Sequence, residues 1–418
     1  MRVATLFKRL LRLGRERVVS VALVEGGEEA VLVELARPAR RRMRCPYCGF
    51  QTRATYDRSV RTWRHLDAIR TRCLLRCEVR RIDCPTCGVV SEEIPWARPG
   101  SRFTRAFEDG CVWLSRDAPK SVVAQLMRVD WATVGRMIER VVDEALERRD
   151  PLEGLRMVGI DEVSYRKGHR YLTCVVDHER GAVVWCARGR SADTLRGFFR
   201  DLGPERSLLL EAISCDMSGS WPAVIAEHAS QARVCVDPFH VVALSGEALD
   251  TLRRQEWQRL RRKDPERAVW LKGTRWALRR RPEDLLPTEQ ASLALLEQEN
   301  ADLYRGYLLH DQLRAVYSVQ DPAQADRLLA DWTAMAAGSG LAPFVRLAAT
   351  IEGHRVGILA AIRLGLSNGR VEAMNSTVRL LSHRSRGFRS LASLLAMIQL
   401  VCGGIPVRLP RDGALVAT

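Results

Sequence analysis

Two copies of one short pattern, Cys45-Pro-Tyr-Cys48-Gly49 and Cys84-Pro-Thr-Cys87-Gly88, constrain the amino-terminal fold more than any other feature. Each offers two thiolates and a glycine that lets the chain turn tightly, and four sulfurs complete a tetrahedral structural Zn²⁺ site. The two knuckles must therefore meet. The segment between Cys48 and Cys84 exceeds the ~15–20 residues of a compact ribbon, so it must leave the metal and return. It is arginine-rich and strand-like, and a β-hairpin carrying Arg70, Arg72, Arg76, Arg80 and Arg81 accounts for its length. Cys73 and Cys77 form a looser pair and His65 is a further possible ligand, but the spacing favours Cys45, Cys48, Cys84 and Cys87.

The remaining composition narrows the setting. The 418 residues suffice for two or three domains, and a formal net charge of +16 points to a polyanionic partner. Lys8, Lys120, Lys167, Lys263 and Lys272 are the lysines; every other basic residue is arginine, whose planar fork suits phosphate. The first residues lack the apolar core of a secretory signal. The most apolar stretch, Leu391 to Val407, is interrupted by Ser393, Gln399, Gly403 and Gly404. A cytoplasmic protein with reduced thiols and no membrane partner is expected, nucleoid-associated when bound to DNA. Cys111, Cys174, Cys186, Cys215, Cys235 and Cys402 are expected as buried thiols.

Periodicity sets the order of elements. Val18 to Leu35 reads as two strands about a Glu25-Gly26-Gly27 turn. From Phe103 to Arg149 the pattern is helical, with Val134, Met137, Ile138, Val141 and Val142 on one face. Ser121 to Met127, a short turn, and a helix from Trp131 capped by Asp130 read as a helix-turn-helix. Its second helix is expected to present Trp131, Thr133, Arg136 and Arg140 to the major groove. Met157–Ile160, Tyr171–Val176 and Ala182–Ala187 read as strands, followed by a helix from Ser191 to Leu202 ended by Gly203. Leu208–Cys215 and Arg233–Val236 read as two more strands about a helix near Trp221–His228. Three consecutive strands, then helix, strand, helix, strand, is the order expected of a ribonuclease-H-like core.

Pro238 to Leu364 reads as helical throughout, too long for a loop. It carries Arg253, Arg254, Arg259, Arg261, Arg262, Lys263, Arg275, Arg279, Arg280 and Arg281, a candidate phosphate surface. Trp257, Trp270 and Trp276 between them are expected in its core. The fold class is therefore multidomain α+β: strands and a zinc-binding β module over 1–95, a helix-turn-helix segment over 96–150, and a ribonuclease-H-like α/β core over 151–245. A helical insertion over 246–365, a return helix to the core over 366–405 and a tail over 406–418 complete it.

Asp161 and Asp216 each follow a short strand-like run, and Glu372 lies in a helical stretch far downstream. Phosphodiester chemistry on two Mg²⁺ or Mn²⁺ ions, about 4 Å apart, needs carboxylates converging from different elements. Asp237 rivals Asp216, although its place before Pro238 suits it to cap the next helix. Asp237 and His240 are candidate pocket residues. Asn375 and Arg379, one and two turns beyond Glu372, are placed to orient a phosphate.

The succession CPYCG…CPTCG, the helix-turn-helix, GIDEVSYRKGHRYLT, SCDMSGSW, VCVDPFHVV and SNGRVEAMNSTVRLLSHRSRGFRS resembles the ISL3 family of DDE-class insertion-sequence transposases over nearly the whole chain. It departs at Ala373, where the family often has glycine, and at Ser376-Thr377-Val378, which replaces a more basic run. The resemblance implies a zinc-binding amino terminus, terminal-repeat recognition, and a catalytic triad at Asp161, Asp216 and Glu372. Further DNA contacts are expected at Arg379, Arg384 and Arg386. The implied reaction is metal-dependent hydrolysis that frees a 3′-hydroxyl at each element end, followed by attack of that hydroxyl on target DNA. Double-stranded DNA and a second copy of the chain, as a homodimer or higher, are the implied partners. A DNA-binding regulator with an inactive core, and an RNA-directed nuclease, are the competing readings.

Overall fold

The chain divides into one unit formed by Met1–Arg149 with Arg384–Thr418 and another formed by Asp150–His383. The structure, a computed structural model, describes all residues except 1–2, 12–14, 25–28, 39, 167, 218–220, 320, 386–387, 389, 408 and 410–418.

In the first unit, helix α1 (Val3–Leu10) precedes strands β1 (Arg17–Val24) and β2 (Ala30–Ala36), which pair antiparallel. The expected Glu25-Gly26-Gly27 turn lies outside the described residues. Strands β3 (Met43–Arg44) and β4 (Gln51–Thr52) form a small ribbon; β5 (Asp57–Ala68) and β6 (Thr71–Cys84) form the long hairpin between the cysteine motifs. One sheet runs β1-β2-β6-β5, and β7 (Gly88–Ser91) pairs with the far end of β6. Alternation along β6 turns Cys73, Leu75, Cys77 and Val79 inward, where they pack with Trp63 and Trp96. Burial pushes the Cys73 and Cys77 thiols up to about 11 and about 12, and both pack in this core, outside the cluster of four cysteines. His65 is also buried, its Nδ1 2.9 Å from Thr104 Oγ1.

Helices α2 (Arg105–Ser115), α3 (Lys120–Met127) and α4 (Trp131–Arg148) follow. Asp130 caps α4 by accepting from the Thr133 N–H at 2.8 Å. Helix α4 buries Val134, Met137, Ile138, Val141 and Val142, the face its 3.6-residue spacing predicts. Arg98, itself buried, pairs with Glu108 at 3.1 Å, Asp109 at 2.6 Å and Glu144 at 2.5 Å, joining α2 to α4.

The second unit opens with strands β8 (Met157–Arg166), β9 (Arg170–Asp177) and β10 (Ala182–Arg188). Helices α5 (Ala192–Leu202) and α6 (Pro204–Ser207), strand β11 (Ala212–Cys215), helix α7 (Trp221–His228) and strand β12 (Arg233–Val236) come next. The sheet order is β10-β9-β8-β11-β12; β10, β9 and β8 are antiparallel, and β8, β11 and β12 are parallel. Strand β11 starts later than Leu208, because Pro204 opens a helical turn that leaves Leu208 and Leu209 exposed. Leu195, Phe198, Phe199 and Leu202 of α5 bury against one face of this sheet.

Helices α8 (Pro238–Leu260), α9 (Pro265–Gly273), α10 (Pro287–Glu299), α11 (Ala301–Val316), α12 (Pro322–Gly338) and α13 (Ala342–Gly353) build the expected helical region around Leu249, Leu313, Leu329, Trp332 and Phe344. Trp257 and Trp270 pack against that core. Trp276 departs from expectation: it is exposed, with the Arg275 guanidinium 5.3 Å from its ring centroid. Helix α14 (Arg355–Leu364) returns onto β12 through Gly357, where a Cβ would lie 2.8 Å from Val236 Cγ2 and 3.1 Å from the Val234 carbonyl.

Helix α15 (Gly369–Arg384) ends the second unit, and α16 (Leu391–Cys402) belongs to the first. Residues 366–405, expected as a single return to the core, thus serve both units. The reason is compositional. Leu394, Met397, Ile398 and Leu400 make α16 apolar on most of its surface, and it is covered by packing along α4. Among the described residues no helix is long and apolar enough to cross a membrane.

Candidate functional site

The parallel register pairs Gly159 with Ser214 and Cys215 with Val236. Carried forward, it sets Asp161, Asp216 and Asp237 level on three neighbouring strands, and the carboxyl ends of parallel strands are where such sheets bind ligands. His240, in the first turn of α8, stands between two of them: its Nδ1 is 3.7 Å from Asp216 Oδ1 and its Nε2 3.7 Å from Asp237 Oδ2. Asp161 is clamped at both oxygens, Oδ1 accepting from the Glu162 N–H at 2.7 Å and Oδ2 from Asn375 Nδ2 at 2.7 Å. Burial holds the Asp161 carboxyl above its usual range; the Glu162 N–H and His240 oppose this, while the Asp237 and Asp216 charges add to it.

Helix α15 is seated by a polar chain. The Asn368 N–H donates to Asp237 Oδ1 at 3.1 Å, the Ser214 hydroxyl donates to Asn368 Oδ1, and His178 Nε2 lies 2.7 Å from Ser214 Oγ. The Arg370 guanidinium donates to the His178 carbonyl. Val371, Asn375 and Val378 form the buried face of α15. Asn368, His178 and Ser214 escape sequence reasoning, because a Ser-Asn-Gly triplet before a helix looks like an ordinary cap and a Ser inside a strand like ordinary packing.

Asp161 and Asp216 therefore come together, with Asp237 and His240 beside them. Glu372 does not join them. It is exposed, one turn ahead of Asn375, and the cysteine quartet is the cluster of three or more His, Cys, Asp or Glu ligand atoms that falls within 4.8 Å among the described residues. Asp237 is 2% exposed and its Oδ1 takes the amides of both Phe239 and Asn368, whereas the Asp216 side chain is 28% exposed. Arg379 is exposed further along α15.

Gly159 sets how closely α15 approaches β8: a Cβ there would meet Val371 Cγ2 at 2.5 Å and His178 Nε2 at 2.9 Å. Gly159→Ala is expected to cost about 1–3 kcal/mol through overpacking and to lower the melting temperature accordingly. A thermal melt equal to that of the parent protein would contradict this packing.

The cysteine motifs form the second centre. Sγ atoms of Cys45, Cys48, Cys84 and Cys87 lie within 4.8 Å of one another, with Cys48 and Cys84 3.3 Å apart. Gly49 and Gly88 have φ of +77° and +72°, the left-handed turns that glycine after each knuckle permits. Burial and then the neighbouring thiols push Cys87 up to about 12. At Cys84 burial is outweighed by the backbone N–H groups of Cys87 and Thr86, which bring it down to about 7. Four converging thiols, one easily ionised, fit a structural Zn²⁺.

On the helix-turn-helix, Trp131 is 44% exposed and Arg136 is exposed, as a groove-facing pair requires. Two other residues expected on the open face of α4 are engaged within the protein. Thr133 is buried, its hydroxyl bonded to the capping Asp130 at 2.5 Å, and Arg140 pairs with the buried Glu108. Helix capping and charge neutralisation claim these side chains. Arg384 is likewise engaged, donating to the Ser115 and Arg116 carbonyls at 3.2 and 3.1 Å, where orphan acceptors end α2. Arg386 lies outside the described residues. In the helical region Arg253 is buried against Asp250, and Arg259 and Arg280 pair with Glu256 and Glu289, which thins the expected basic surface.

Comparison with known proteins matches this arrangement segment by segment. Residues 158–398 match a family described as transposase, of the ISL3 type. Residues 92–142 match the helix-turn-helix domain of transposase family ISL3, and residues 41–87 the zinc-finger of transposase IS204/IS1001/IS1096/IS1165. The transposase for insertion sequence element IS1557 of Mycobacterium tuberculosis is 38% identical over 98% of each chain. The transposase for insertion sequence element IS1001 of Bordetella parapertussis is 32% identical over 84% of this chain and 87% of its own.

Proposed function

Because this chain belongs to the ISL3 family of transposases, we propose that it binds the terminal inverted repeats of its insertion sequence and cuts and joins DNA at Asp161, Asp216 and Glu372. The sheet order β10-β9-β8-β11-β12 supports a ribonuclease-H-like core for this chemistry. One observation carries the reading: Asp161 and Asp216 are level on adjacent strands, and Asn375 bonds Asp161 from the same helix that carries Glu372 one turn away.

The donor set fits hard divalent cations. All three residues offer oxygens, and excess negative charge around a buried Asp161 is what a cation offsets. Mg²⁺ or Mn²⁺ held there supplies activation of the attacking oxygen and stabilisation of the leaving one. The protein's own part is orientation. Asn375 and the Glu162 amide fix the plane of the Asp161 carboxylate, and Asp237 anchors Asn368 at the start of α15. Asp216, more open than Asp237, is the second ligand. Glu372, on the exposed side of α15 one turn from Asn375, would complete the set. Holding two element ends at once requires at least two copies of the chain.

The test is nicking of a labelled duplex that carries the element's own terminal repeat, with Mg²⁺ present. The parent protein is expected to release a 3′-hydroxyl at the repeat end, and Glu372→Ala to bind the duplex and leave it intact. A parent protein that binds the repeat and never nicks it would instead be a DNA-binding regulator with an inactive core.

A further inference from the structure

The tip of the β5–β6 hairpin combines strain, exposure and position in a way no packing need explains. Ala68 pairs with Thr71, so Ile69 and Arg70 form a two-residue loop. Ile69 has φ +62°, a conformation that such loops assign to glycine or asparagine and that a β-branched residue adopts only under constraint. Its side chain is 99% exposed and gains nothing from burial. Strain of this kind persists where the surroundings enforce it, and it concentrates at functional positions.

The enforcing contacts come from the helix-turn-helix. Arg128, the left-handed residue (φ 52°) that ends α3, donates to the Asp67 carboxylate and to the Arg70 carbonyl, the latter at 3.1 Å. Arg64 holds Asp67 from the other side at 2.7 Å and reaches the Arg128 carbonyl at 3.5 Å. The hairpin tip is thereby fixed against the turn that leads into α4, whose first residue is the exposed Trp131. It offers one apolar side chain and one exposed arginine.

We propose that this tip is a second DNA-reading element, with Ile69 and Arg70 entering the minor groove next to the major groove that α4 occupies. The inference rests on the DNA-binding reading of the helix-turn-helix given above. A helix-turn-helix sets the start of its second helix on base edges, so an element fixed at that turn follows the same duplex across the phosphate ridge. Minor-groove proteins insert apolar wedges between base steps, and a narrow minor groove attracts arginine. An isoleucine next to an arginine matches that chemistry, whereas phosphates alone would have no use for the isoleucine.

Ile69→Gly separates function from folding, because glycine relieves the backbone conformation while removing the wedge. Full-length parent and variant are compared on a fluorescein-labelled duplex carrying the element's own terminal repeat, by anisotropy, by end-to-end energy transfer for bending, and by competition with the minor-groove ligand netropsin. The variant is expected to melt no lower than the parent, to bind about tenfold more weakly and to lose the bend, in line with loss of one wedge contact. Netropsin should displace the parent more readily than the variant. Arg136→Ala is expected to weaken binding while keeping sensitivity to netropsin. An Ile69→Gly protein with parental affinity, bend and netropsin response overturns the proposal and leaves the helix-turn-helix reading standing. Loss of self-association with DNA binding unchanged would also overturn it, by assigning the tip to protein contact. A parent protein without affinity for the repeat defeats both.

Discussion

An Asp161→Asn protein will bind element-end DNA as the parent does and will neither nick it nor join it to a target. The substitution preserves shape: the amide oxygen keeps the bond from the Glu162 N–H, and a flip of the Asn375 amide, whose Oδ1 is otherwise unpartnered, lets it accept from the new NH₂, so folding is little changed. What goes is one negative charge in a half-buried row of carboxylates. Charge stabilisation by a bound metal ion is worth several kcal/mol in the transition state, and about 4 kcal/mol corresponds to roughly a 10³-fold fall in rate. Binding by the first unit does not draw on this residue. Nicking and strand transfer are measured on the same labelled duplex with Mg²⁺ and again with Mn²⁺. Strand transfer retained within tenfold of the parent would remove Asp161 from the reaction.

Stripping zinc will unfold the amino-terminal module and abolish end binding, and Cys84→Ser will do the same. The knuckles close on a small ribbon whose buried side chains are little more than Met43 and Ile82 with the cysteines themselves. So small a core cannot hold the turns, and a structural zinc contributes on the order of 10–16 kcal/mol to such modules at neutral pH. The expected observation is rapid proteolysis confined to the early residues after treatment with phenanthroline, with Asp150–His383 still protected and rescue by added Zn²⁺. An unchanged melting profile and unchanged repeat binding after metal removal would show that the sulfurs carry no structural ion.

The elements most visible in the sequence were those with local signals. Asp130 and Ser191 mark helix starts, Gly203 marks a stop, and the bounds of α7 and β12 follow from periodicity and turn residues alone. The cysteine quartet was equally legible, because ligand spacing and a following glycine are local facts. What stayed hidden depends on partners distant in sequence. Nothing near Thr133 or Arg140 announces that Asp130 and Glu108 will claim them. The chain from His178 through Ser214 and Asn368 to Asp237 joins four separate elements, and no periodicity reports it. Glu372 was found on its helix, but periodicity does not report that its side chain is exposed while Asn375 of the same helix bonds Asp161.

The packing of α16 along α4 has a bearing on synthesis. Helix α16 follows all three of the carboxylates proposed as catalytic, so they are translated before the residues that cover the apolar side of α4. A polypeptide broken off before Leu391, or a message cut short, leaves that side of α4 bare. Under the function proposed above, such prematurely terminated products are poorly equipped to hold the element's ends and block them.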